Sequence, residues 1–201
     1  MEHQIINNYL KTYLIGPIEK TAAGDNGSGW RTSLRLELDK RRDKNNNPIY
    51  VFDPILEEKE KTGYSASEFH KNLTQWIIDL DKEKIIESTN LIWKGKHIIE
   101  KHGTRKARLI TILGDCDYVL NSDFLILKME EKDSGCGTFG EAYEAYKQAI
   151  SIYVIQTMPI VKYPRTLIGW VYASGGDFFK SQEELLTFLD EKYKLSTLET
   201  K

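Results

Sequence analysis

Cysteine is nearly missing from this sequence: Cys116 and Cys136 are the only two in 201 residues. Their spacing fits neither a disulfide framework nor a zinc site, so a reduced, intracellular chain with no metal site is expected. No apolar run approaches the roughly 20 residues that cross a bilayer. The first ten residues lack the basic-then-apolar order of a secretion signal, so a soluble, cytoplasmic protein is expected. An excess of one charge is also lacking. With 28 Lys and Arg against 30 Asp and Glu the net charge is −2, which gives no chain-wide reason to expect a DNA or RNA partner. Internal repeats and long low-complexity tracts are absent too, so solenoid architectures are set aside.

What is present is ordinary globular material, 40% hydrophobic and 29% charged, long enough to bury one core. The expectation is a single domain over 1–201. Lys11-Thr-Tyr-Leu-Ile15 reads as a strand stopped by Gly16-Pro17. A polar loop follows, and then a helix from Trp30, with Trp30, Leu34 and Leu38 on one stripe. Pro48–Phe52 reads as a second strand, broken by Asp53-Pro54. From about 57 to 112 the spacing suggests two or three inserted helices, including Ser67–Ile86 and, less regularly, Trp93–Ile99. A short helix opening near Asp115 leads to a third strand at Asp123–Met129. Ser151–Gln156 and Leu167–Tyr172 read as the fourth and fifth strands. Ser181-Gln-Glu-Glu184 is a capping box before the last helix. This order implies an α/β protein of the flavodoxin-like (Rossmann-like) class. Its doubly wound parallel five-stranded sheet would have strand order 2-1-3-4-5, with the helical insertion after the second strand.

In such a sheet the ligand crevice lies at the strand C-termini. The segments converging there would bring Tyr13, Trp30, Arg31, Asp53, Asp115, Asp117, Thr138 and Glu141 to one edge. Carboxylates dominate this set, while His70, His97 and His102 fall in charged, helical surroundings away from it. A nucleophilic carboxylate with a second carboxyl for proton handling is the chemistry of retaining glycosidic exchange. Glu141 is read as the nucleophile. It is also read as a residue in the first turn of its helix, where the macrodipole favours any acid. Tyr143 and Tyr146 are expected in the core, with stacking on a base as the alternative, and Glu144 on the surface. Arg31, with Ser28, could hold a phosphate near a helix N-terminus or simply pair with an acid.

Five motifs lie in register: Tyr13-Leu-Ile-Gly-Pro17, Gly29-Trp-Arg31, Asp53-Pro54, Asp115-x3-Val119-x2-Ser122-Asp123 and Gly137-Thr-x-x-Glu141. Together they resemble the nucleoside 2-deoxyribosyltransferase family, which also contains the deoxynucleoside 5′-monophosphate N-glycosidases. The resemblance implies a catalytic Glu141 and a base-protonating Asp115, with Asp117 as the alternative. It implies a substrate site lined by Tyr13, Gly16, Pro17, Trp30, Arg31, Asp53, Asp117, Gly137 and Thr138. It further implies nucleotide salvage without a cofactor, small-molecule partners (a nucleoside or nucleotide and a nucleobase) and a homo-oligomer. Transfer to a second base is the main expectation, and hydrolysis or a non-catalytic nucleotide sensor the alternatives. The chain departs from the family in two places. Gly135 stands six residues before Glu141, where an Asp is usual, with Asp133 two residues earlier. The polar end Ser196–Lys201 is expected to fray rather than dock.

Overall fold

The structure, a computed structural model, describes residues 9–16, 28–102, 106–131 and 136–198. In chain order the elements begin β1 (Lys11–Ile15), α1 (Ser28–Asp39), β2 (Arg41–Arg42), β3 (Tyr50–Phe52), α2 (Pro54–Thr62), α3 (Ala66–Ile78) and α4 (Lys82–Lys94). They continue as β4 (Lys96–His102), β5 (Lys106–Ile112), α5 (Asp115–Leu120), β6 (Phe124–Leu127), α6 (Cys136–Lys147) and β7 (Ser151–Ile155). The last are α7 (Arg165–Ala173), β8 (Asp177–Phe179), α8 (Gln182–Tyr193) and β9 (Ser196–Thr197). Two compact units are formed, one from residues 1–53 with 121–201 and one from residues 54–120.

The first unit is the expected α/β fold. Its five strands lie in the order β3-β1-β6-β7-β8, every pair parallel. Counting only strands of this sheet, that is 2-1-3-4-5. All four residues of β6 are buried, as befits a parallel strand covered on both faces. Side chains alternate between those faces. Leu14, Phe124, Ile126, Tyr153 and Phe179 pack with Leu34 and Leu38 of α1 and Leu185 and Leu189 of α8. The other face is covered by α6 and α7, which bury Ala142, Ala145, Leu167 and Val171. Ser181 caps α8 by accepting from Glu184 N at 3.1 Å.

Leu167–Tyr172 is not a strand. It lies inside α7, where burial of Leu167 and Val171, one turn apart, shows helical rather than alternating periodicity. The fifth strand is instead β8, three residues long and beyond Gly175-Gly176. The chain's end also differs from expectation. Ser196–Thr197 pairs antiparallel with Arg41–Arg42, and Leu198 N donates to Lys40 O at 2.8 Å, so the segment is docked as far as Leu198. Arg41 fixes the same corner, its Nε 2.7 Å from Asp190 Oδ1.

The second unit holds α2, α3, α4 and α5 together with an antiparallel hairpin, β4–β5. The helical reading of Trp93–Ile99 holds only to Lys94. Gly95 ends α4 at φ 66°, and a Cβ there would stand 1.9 Å from Ile112 O, so only glycine fits. His97 and His102 therefore belong to a strand, not to a helix. Among the described residues, no helix is long and apolar enough to cross a membrane.

Candidate active site

At β1 the parallel order reverses direction, because β3 lies on one side of it and β6 on the other. Crevices open at such switch points, beyond the strand C-termini. The chain leaves β1 through Gly16, whose missing side chain is a packing requirement. A Cβ there would meet Lys128 O at 2.4 Å, Trp30 Cζ2 at 3.3 Å and Arg31 Nη2 at 3.4 Å. The exits of β1 and β6 and the first turn of α1 thus close around one backbone position. Arg31 completes the junction. Fully buried, it donates from Nη2 to Gly16 O at 2.7 Å, and its guanidinium carbon lies 4.7 Å from the Trp30 ring centroid.

Tyr13 is the third residue of β1 and faces α6. On α6 the buried positions are Thr138, Glu141, Ala142 and Ala145, an i, i+3, i+4, i+7 stripe against the sheet. A carboxylate on that stripe occupies a place where an apolar side chain would cost nothing in desolvation. Glu141 is 7% exposed, and the Tyr13 hydroxyl, itself fully buried, donates to its Oε1 at 2.8 Å. Because α6 begins at Cys136, Glu141 is its sixth residue and lies beyond the first turn. Attraction to the macrodipole fades beyond that turn, so it does not account for a buried acid here. Gly137 and Thr138 are helical residues rather than loop residues. A Cβ on Gly137 would meet nothing within 4 Å, whereas Thr138 is buried.

Asp53, one residue past β3, is 4% exposed and 3.9 Å from Arg35 Nη1. Arg35 did not stand out in the sequence. Its signal was the spacing of one helical turn from Arg31, on the helix that leaves β1. The structure thus gathers Gly16, Trp30 and Arg31 at one junction and holds Glu141 on Tyr13. Pro17, Asp133 and Gly135 lie outside the described residues. Tyr143 and Tyr146 are not core: both are exposed and lie against Trp170, with centroids 5.2 and 6.3 Å away. They project from α6 off its buried stripe. Glu144 is partly covered and 3.1 Å from Lys147 Nζ.

No family model matches the chain, and no curated protein matches it.

Asp115 and Asp117 belong to the second unit, where each has a partner within the unit. Asp115 Oδ1 is 2.5 Å from Lys61 Nζ, a lysine only 6% exposed that also lies 4.6 Å from the Tyr118 ring centroid. Tyr118 in turn donates to Glu57 Oε2 at 3.0 Å. Asp117 accepts from Gly114 N at 3.0 Å, as an acid at the third position of a helix does for its cap residue. Lys61 was missed because it sits in a charge-rich stretch whose periodicity is weak. Among the described residues, no group of three or more His, Cys, Asp or Glu side chains is placed to hold a metal ion.

Proposed function

We propose that this chain cleaves the N-glycosidic bond of a 2′-deoxynucleoside or its 5′-monophosphate through a covalent glycosyl-Glu141 intermediate, in the manner of a nucleoside 2-deoxyribosyltransferase. One observation carries the reading: a buried glutamate, held by the hydroxyl of Tyr13 on β1, in the helix that follows β6, the strand beside β1 at the topological switch. A Glu fixed this way has one orientation and little water around it, which suits attack on a sugar carbon.

In the first step a Glu141 oxygen bonds to C1′ as the bond from C1′ to the base nitrogen breaks. The electron pair leaves with the base, which takes a proton from an acid. The resemblance gives that role to Asp115, with Asp117 as the alternative. In the second step a nitrogen of an incoming base attacks C1′, its proton returns to the acid, and Glu141 leaves as the carboxylate. Water in place of the second base would make the enzyme a hydrolase. The nucleotide hydrolase has one observation in its favour: Arg35, 3.9 Å from Asp53 Oδ2, keeps 30% of its side chain exposed one turn beyond Arg31, a guanidinium of the kind that binds a 5′-phosphate.

The test is to incubate the protein with deoxynucleosides and with their monophosphates, with and without a free base, and to separate the products. Exchanged base identifies the transferase, and free base with deoxyribose or its phosphate the hydrolase. Glu141→Gln should abolish either. Full turnover in Glu141→Gln overturns the mechanism. No turnover by wild type, with nucleotides raising the melting temperature, establishes a sensor instead.

A further inference from the structure

The chain-wide charge of −2 conceals a segregation. Residues 94–108 contain Lys94, Lys96, Lys101, Arg105, Lys106 and Arg108 against the single acid Glu100, so this stretch carries +5 and the remainder −7. Two of the four histidines, His97 and His102, lie in the same stretch. Of the described residues in it, 96–102 form β4 and 106–108 begin β5, two seven-residue strands that make a sheet of their own. Seven residues of strand extend roughly 23 Å. The register separates the two halves of the ribbon. Ile98 stands opposite Ile110 and Ile99 opposite Leu109 in its middle. Toward His102, Glu100 stands opposite Arg108, Lys101 opposite Ala107 and His102 opposite Lys106. Lys101, Lys106 and Arg108, against Glu100, thus stand toward one end of the ribbon, and Lys96 stands at the other.

We propose that this ribbon binds double-stranded DNA. A two-stranded antiparallel ribbon is one of the two elements that the B-form major groove admits, and its cationic end is complementary to the phosphates that line the groove. Other occupants fit less well. Residues 94–112 contain no Trp, Tyr or Phe, so the ribbon lacks the stacking surface that single strands use and the aromatic anchors of a membrane interface. An A-form RNA major groove is too deep and narrow. A second copy is repelled by like charge, since each ribbon carries Lys96, Lys101, Lys106 and Arg108 against the single acid Glu100. The balanced composition that argued against nucleic acid is an average over a basic ribbon and an acidic remainder. This inference is independent of the role of Glu141.

The full-length protein should be titrated into a fluorescently labelled DNA duplex, with anisotropy read from about 50 to 200 mM salt. Binding is expected, weakening as salt rises. The combined Lys101→Gln, Lys106→Gln, Arg108→Gln variant should bind more than tenfold more weakly. Its slope of log K against log salt should be shallower by about 2.7, close to 0.9 per lost phosphate contact. A control with Lys40→Gln, Lys162→Gln and Lys180→Gln makes the same charge change elsewhere and should match wild type. Should the triple ribbon variant melt early, Lys101→Gln alone should still reduce the slope by about 0.9. Absence of duplex binding, equal loss in the control, or tighter binding to a single strand or to phosphatidylserine vesicles overturns the proposal.

Discussion

A hydroxyl aimed at a buried carboxylate does two things at once: it offsets part of the desolvation cost and it fixes the direction of the oxygen it does not touch. Tyr13 and Glu141 form such a pair, 128 residues apart in sequence and 2.8 Å apart in space. Tyr13→Phe keeps the ring that packs against α6 and removes only the donor. Its kcat should fall tenfold or more, about 1.4 kcal/mol per factor of ten, with KM nearly unchanged and the circular-dichroism spectrum preserved. Asp115→Asn should slow the same reaction by about a hundredfold if Asp115 protonates the leaving base, and should be rescued by substrates whose base departs without protonation. Asp117→Asn giving that pattern would move the role to the neighbouring residue. Glu141 was legible as a residue type in a motif, but its depth was not. The sequence suggested a first-turn position, and only the start of α6 at Cys136 reveals a second-turn acid facing the sheet. Arg35 and Lys61 were illegible because their partners, Asp53 and Asp115, are brought to them by folding.

At the scale of elements, those with consistent local signals were read correctly. Trp30, Leu34 and Leu38 share a helical stripe, β6 is apolar throughout, and Ser181 is a cap followed by acids. Elements whose composition and periodicity disagree were misread. Leu167–Tyr172 has the β-branched and aromatic content of a strand, yet its burial follows a helix. Ile98 and Ile99 were absorbed into a helical run because the stop at Gly95 is a matter of backbone approach to Ile112. Docking of Ser196–Thr197 on Arg41–Arg42 depends on two residues of pairing that no local pattern announces. The junction at Gly16 is the element-level feature that most tightly ties fold to site. Gly16→Ala would force a Cβ to within 2.4 Å of Lys128 O. It should lower stability by about 1–3 kcal/mol, as overpacking does, read as an earlier urea midpoint, and reduce activity in the folded fraction by displacing Arg31 and Trp30.

For the molecule as a whole, a doubly wound sheet provides a rigid edge at which loops from β1, β3 and β6 can be varied without disturbing the core. Strand order was deducible because parallel crossovers admit few topologies. The content of the second unit was not, since its charged helices and its hairpin carry weak periodicity. A fold of this kind hosts many chemistries, so the central claim is the covalent role of Glu141 rather than the architecture. The most direct measurement is to mix the protein with a deoxynucleoside, quench rapidly in acid, digest, and analyse the peptide containing Glu141 by mass spectrometry. A deoxyribosyl adduct on that residue, lost on adding a free base or on longer incubation with water, is the predicted result. Product released by an enzyme that carries no adduct at any time, or carries it on another residue, would contradict the account.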